Sequence, residues 1–258
     1  MEIKRRLEKI PEGLVVNRVW LKRHEIKRPL VDYYLRKGYL EAVAHGLYRK
    51  PGPALKWQHL VYSLQELGYP VHVGGRSALE WQGLAHYLPV AEEQNIHLFC
   101  DKKLPGWLVK INVPVKFFKH SSLLFRDDLK DKGLTTIPFG SWDWPINIAS
   151  PERAVLEMLA GVPSKESFHM AQVMMESAVN LRPDLLTTLL EGCHNIKVKR
   201  LFLWLAEQYH PQWMKRLNVK KIHLGSGKRV IQKGGKLDPK YLITVPKEDA
   251  DGQKQALF

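Results

Sequence analysis

Cysteine is scarce in this chain, and long apolar runs are missing altogether. Its 258 residues contain only Cys100 and Cys193, far apart and outside any Cys-x-x-Cys pair. That spacing excludes a disulfide framework and offers no zinc site, so both read as small buried apolar residues. No stretch of about 18 apolar residues occurs, which removes a membrane-spanning helix. The opening MEIKRRLEKI lacks the apolar segment of a signal peptide, so a cytoplasmic location without a membrane partner is expected.

Catalytic constellations are missing too. The eleven histidines form no His-Glu-x-x-His motif and no close grouping with carboxylates of metal-site type. No Gly-x-Ser-x-Gly elbow is present. Gly225-Ser226-Gly227-Lys228 is no phosphate loop, because the Walker pattern needs Gly where Ile222 stands and Ser or Thr where Arg229 stands. A nucleotidyltransferase needs paired carboxylates after its Gly-Ser to hold two metal ions, but after Gly225-Ser226 the candidates are Asp238 and Lys240. Lysine does not ligate magnesium. Asp127, Asp128 and Asp131 lie among Arg126, Lys130 and Lys132 and read as a solvated loop. No catalytic residue, metal or cofactor is expected, and the chain is not read as an enzyme.

Positive charge is what the chain has in excess. The formal net charge is +14, and it is clustered. Residues 1 to 50 hold 13 Lys/Arg against 6 Asp/Glu, and residues 197 to 240 hold 12 against 2, while the middle is near neutral. Clustered cations point to a polyanionic partner. In the C-terminal cluster Lys197, Lys199, Arg200, Lys220, Lys221, Lys228 and Arg229, with Lys215 and Arg216 between them, form a candidate second basic surface. Its readings are DNA, RNA or a merely solvated face.

The N-terminal cluster falls on the stretch from Leu14 to Lys50, which has the spacing of a winged helix-turn-helix. Asn17 is placed to cap a short helix, Arg18 to Arg23, with Val19 and Trp20 inward and Ile26 plugging the turn. A second helix begins near Arg28, with Pro29 in its first turn and Gly38 ending it. Leu30, Val31, Tyr34 and Leu35 make its buried face, opposite Arg28, Asp32, Tyr33 and Arg36. Two short strands, 39 to 43 and 47 to 50, then bracket Gly46 as the wing, and residues 14 to 16 supply a strand to pair with it. Such a helix fits the major groove, where Arg donates to guanine O6 and N7. Arg28, Tyr33 and Arg36 are the base-edge candidates, whereas Lys27, Lys37, Arg49 and Lys50, at helix ends and on the wing, are assigned to phosphates. The plain alternative is a solvated face on a domain that makes protein contacts.

Residues 1 to 10 read as a first helix. Pro51-Gly52-Pro53 breaks the pattern, and an apolar stripe from Trp57 to Leu67 predicts a helix. Residues 71 to 74, 96 to 100, 109 to 113 and 115 to 119 read as strands, with Ser77 and Glu80 at capping-box spacing before a helix over 78 to 84. An anion at the free N–H groups after Gly75-Arg76 is the sharper reading of that cap. Residues 137 to 148 read as a Trp- and Pro-rich connection. Four helical stripes follow, the first capped by Ser150 with Pro151 behind it and the last running from Val198 to Tyr209. Strands are expected at 222 to 224, 230 to 232 and 242 to 245.

Several stretches together resemble the AbiEi family of antitoxins, over nearly the whole chain. They are Gly46-Leu47-Tyr48-Arg49, the block from Gly74-Gly75-Arg76-Ser77 to His86-Tyr87-Leu88, Ser150-Pro151-Glu152-Arg153-Ala154, Lys197 to Leu203, and Gly227 to Val230 with Lys233 to Leu237. The resemblance implies a repressor that binds double-stranded DNA at its own operator. It also implies a C-terminal domain that counteracts a nucleotidyltransferase-like toxin without a stable complex, and it carries over no catalytic residues. The expected fold is α+β: a winged helix-turn-helix domain at 1 to 50, a larger mixed α/β antitoxin domain with a helical section at 54 to 246, and a flexible tail at 247 to 258. The competing readings are a nucleic-acid enzyme targeted by a winged helix and a pure scaffold.

Overall fold

The computed structural model describes residues 6–84 and 94–247, the side chains of 211 and 213 apart. The first half of the expected N-terminal helix, His86-Tyr87-Leu88 and all but the first residue of the expected tail lie outside the described residues. Contacts divide the chain into unit 1 (Met1–Ser77, Pro89–Ser122, Leu134–Ala149) and unit 2 (Ala78–Leu88, Leu123–Gly133, Ser150–Phe258).

Unit 1 begins with helical residues 6–8, then β1 (Val16–Asn17), α1 (Arg18–Arg23), α2 (Arg28–Arg36), β2 (Glu41–Ala44) and β3 (Leu47–Arg49). Asn17 caps α1 by accepting the Trp20 N–H at 2.8 Å. Trp20 and Leu21 fill its inner stripe; Val19, expected inward, lies one residue earlier on the solvent side and is 59% exposed. β1 and β2 flank β3 in an antiparallel sheet, with Val16 opposite Tyr48. Gly46 turns the β2–β3 hairpin at φ 73°, in the left-handed region open to glycine.

The same unit continues through α3 (Trp57–Glu66), β4 (His72–Val73), the start of α4 (Gly75–Trp81), β5 (Gln94–Phe99), β6 (Val115–His120), β7 (Leu134–Phe139) and β8 (Trp144–Ala149). The last five strands form one mixed sheet in the order β6-β5-β4-β8-β7. The winged segment and this sheet share one core across Pro51-Gly52-Pro53. Ile10, Trp20, Ile26, Val31, Tyr34 and Tyr48 are buried with Trp144, and Tyr62, Leu67 and Phe139 pack against them.

Three expectations are corrected here. Residues 137–148 are a β-hairpin rather than a connection, and its Pro138 and Pro145 sit opposite each other in register. Proline lacks the ladder N–H, and neither residue faces a further paired strand, so none is lost. Residues 109–113 form no strand, and Val109 is 77% exposed. Ser77 is not a cap, because it lies inside α4, where its hydroxyl donates to the Asn95 carbonyl and accepts the His97 N–H, both at 2.9 Å.

Unit 2 carries α5 (Pro151–Ala160), α6 (Phe168–Ser177), α7 (Pro183–Gly192), α8 (Ile196–Tyr209), α9 (Pro211–Met214) and the strands β9 (Arg229–Val230), β10 (Lys236–Asp238) and β11 (Ile243–Val245). β11 is central to this small sheet, antiparallel to β10 and parallel to β9. Residues 222–224, read as a strand, are not one.

Two buried acids organise α5. Arg153 Nε donates to Glu157 Oε1 at 2.7 Å, with both side chains 1% exposed. Its Nη1 donates to the carbonyls of Lys130 and Lys132, and its guanidinium covers the Phe125 ring. Glu152 accepts from the Arg182 main chain and guanidinium at 2.9 Å and from the Ser150 hydroxyl at 2.8 Å.

A buried pair broken on one side leaves an uncompensated charge. Arg153→Leu is therefore expected to cost about 3 to 5 kcal/mol in denaturant unfolding, and the double variant with Glu157→Leu to regain part of it. Burial pushes the Glu152 carboxyl up, but the bonds from Arg182 and Ser150 outweigh this and hold it below its ordinary value. A depressed folded pKa gives stability that is present above the unfolded value and lost as pH falls through the folded one. Melting curves between about pH 5 and pH 3 should accordingly show a shallower acid loss in Glu152→Gln than in the parent.

Candidate nucleic-acid interface

α2 has one apolar stripe and one cationic face. Val31 and Tyr34 are buried, Leu30 and Leu35 are half-buried, and Arg28, Asp32, Arg36 and Lys37 are exposed. Lys27 is the residue that precedes the helix, Pro29 sits in its first turn, and no acid lies there. Helix N-termini favour anions, because their unpaired N–H groups carry partial positive charge. Placing Lys27 and Arg28 at that end is unfavourable for the isolated helix and suits a site that receives a phosphate.

The turn before α2 is tied down from the N-terminal segment. Glu25 adopts a positive φ of 65°, its carbonyl accepts from Arg6 Nη1 and its carboxylate from Lys9 Nζ, both at 3.0 Å. Beside it a cleft of about 690 Å³ is lined by Arg6, Arg18, Lys22, Lys27 and Arg28, against Glu25 and Asp32, over a floor of Ile26 and Val31. Arg18 and Lys22 were not singled out from the sequence. Their i, i+4 spacing on α1 was the available signal, since it puts both on one helix face. Arg18 also donates to the Tyr48 hydroxyl at 3.1 Å, joining α1 to the wing.

Of the residues singled out, Lys27, Arg28, Arg36 and Lys37 share the exposed side of α2. Tyr33 is not free on that face. It is half-buried against the winged core, with ring centroids 6.0 Å from Tyr34 and 6.4 Å from Tyr39. Arg49, assigned to phosphate, is turned inward: it pairs with Glu41 across the hairpin and donates to the carbonyls of Gly52 and Pro53, leaving 13% of its side chain exposed. Lys50 is half-buried, and burial pushes its ammonium down. The cations of the wing brace the fold, and those of α1 and α2 face outward.

The second basic set divides in the same way. Arg200, 2% exposed, donates to the carbonyls of Leu224, Gly225, Gly227 and Leu242 at 2.6 to 3.3 Å. Lys199, 4% exposed, donates to those of Glu191 and His223. Lys197 is half-buried and reaches the carbonyls of Ala160 and Val162, with burial pushing its ammonium down. These three are corrected from surface cations to internal donors, because carbonyls outside regular ladders need partners. Lys220, Lys221, Lys228 and Arg229 are exposed.

Among the described residues, no group of three or more His, Cys, Asp or Glu is placed to hold a metal ion, and no helix is long and apolar enough to cross a membrane. The fold is that of an α+β protein with an N-terminal winged helix-turn-helix, a class that serves transcriptional regulators. A family profile described as the N-terminal domain of the AbiEi antitoxin transcriptional regulators matches residues 1–90. Another, described as transcriptional regulator, AbiEi antitoxin, type IV toxin-antitoxin system, matches residues 93–246. The chain belongs to the AbiEi family of antitoxin transcriptional regulators. Its fold is also similar to the crystal structure of the RV2827C protein from Mycobacterium tuberculosis, with 16% identity and a TM-score of 0.59 over 94% of this chain and 89% of that one. No curated protein matches the chain.

Arg49 and Arg36 are expected to separate bracing from contact. Arg49→Ala should lower the melting temperature, since two carbonyls and Glu41 lose their donor. Arg36→Ala should leave melting unchanged. Differential scanning calorimetry of both variants checks this, and a parent-like melting temperature for Arg49→Ala would return that residue to the phosphate-contact set.

Proposed function

We propose that this protein is the antitoxin and autoregulatory repressor of a type IV toxin-antitoxin operon. In this reading α2 enters the major groove of the operator, with Arg28 and Arg36 on base edges and Lys27 and Lys37 on phosphates. Arg18 and Lys22 add phosphate contacts from α1. The observation that carries the reading is the exposed cationic face of α2, with cations and no acid in the first turn, in a chain of a transcriptional-regulator family.

The division of labour we propose gives operator reading to residues 1–50 and neutralisation to residues 54–246, directed at a nucleotidyltransferase-like toxin without a stable complex. Family membership supports an antitoxin role; the toxin and its neutralisation are the proposal's own content. Because the winged segment shares its core with the sheet of unit 1, the two roles are best separated by point variants of the whole chain rather than by truncation.

Arg36→Ala is expected to weaken binding to the protein's own promoter by about 1 to 3 kcal/mol and to relax discrimination, measured by fluorescence anisotropy against a scrambled duplex. Arg28→Ala/Arg36→Ala should derepress a promoter reporter while still rescuing cells from the toxin encoded beside the gene. Loss of rescue in that stably folded variant would make the two roles inseparable. Parent-like promoter affinity would remove α2 from the reading role.

A further inference from the structure

Between Lys215 and Lys236 the chain carries eight Lys/Arg and neither a carboxylate nor a Phe, Trp or Tyr. All eight are exposed. The flanking acids are already engaged: Glu207 binds Lys240 and the Tyr241 hydroxyl, and Asp238 accepts the Tyr241 N–H at 2.7 Å. Among the described residues no carboxylate pairs with Lys220, Lys221, Lys228 or Arg229. This is uncompensated charge within unit 2.

The loops bearing that charge are held from beneath. Arg200 clamps the carbonyls on both sides of Ser226, just ahead of Lys228 and Arg229. Lys199 fixes the His223 carbonyl, just after Lys220 and Lys221. Arg229 is tied to the sheet as well, since its N–H donates to the Leu242 carbonyl at 2.9 Å. Buried cations thus position the exposed ones, and a preset array loses less entropy on binding than free side chains do.

The composition selects the partner. Protein interfaces are depleted in lysine and enriched in aromatics, the opposite of this segment. Single strands are held by bases stacked on aromatic rings, and here none is available. Phosphates of a duplex need only cations and polar donors. Duplex DNA is favoured over duplex RNA because a chain already held on DNA by its winged helix meets further phosphates of that duplex at high effective concentration.

We propose that the 215–236 face of unit 2 is a second, sequence-independent contact for the phosphate backbone of double-stranded DNA. It goes beyond the winged-helix reading and does not require it. The test uses the whole chain with Lys220, Lys221, Lys228 and Arg229 all changed to Ala, and anisotropy on a random-sequence DNA duplex across a salt series. Melting curves confirm that this exposed variant folds. The slope of log K against log salt should become shallower by about 0.9 for each phosphate no longer neutralised, while Arg28→Ala/Arg36→Ala keeps the random-duplex binding that the four cations supply. If promoter-specific binding fails but the random-duplex slope still depends on the four cations, operator reading falls and this contact stands. An unchanged slope in the four-cation variant overturns it. So does a loss confined to duplex RNA, to single strands or to an acidic protein partner with DNA binding intact.

Discussion

Main-chain carbonyls that no helix or strand satisfies need donors, and in this protein cationic side chains supply many of them. Arg200 serves four such carbonyls, Arg153 two beside its ion pair, Lys199 two, and Arg49 two at the end of the wing. An unmade hydrogen bond of a buried group costs about 1 to 3 kcal/mol, so each of these side chains is held by several bonds at once. Which cations remain to meet a polyanion depends on which are already spent on the backbone.

That constraint redraws the charge map. A formal +14 suggests a broadly basic molecule, yet the wing keeps its arginine inside and α8 turns Lys199 and Arg200 into its own unit. What is left outside is more concentrated. In unit 1 it lies on α1 and α2, around the turn held by Arg6 and Lys9. In unit 2 it lies on the loops that Lys199 and Arg200 support. Buried and exposed cations work together in unit 2, the first set shaping the backbone that carries the second.

The winged helix is also less separate from its surroundings than a Pro-Gly-Pro break implies. Trp144 stacks on Tyr62 with ring centroids 4.4 Å apart, and Trp144 is buried in the same cluster as Tyr34 and Tyr48. A short three-helix segment buries a modest core alone, and the β7–β8 hairpin enlarges it. The orientation of α2 within unit 1 therefore rests on residues about a hundred positions further along the chain.

Local chemistry was legible in the sequence wherever a short-range rule applied. The Asn17 cap, the Pro29 start and Gly38 end of α2, the Gly46 hairpin and the helical stripes of unit 2 follow from periodicity and backbone preference. So did the cationic face of α2, because residues i, i+4 and i+8 share a side whatever surrounds them. The β7–β8 hairpin was hidden by its prolines, whose tolerance depends on a neighbouring strand stopping short. The sequence alone determined the class of fold, the amphipathic helix and the amount of charge at each end. Only the tertiary structure decided which charges face outward, because a lysine or arginine near an unsatisfied carbonyl is drawn inward, and that nearness is set by parts of the chain distant in sequence.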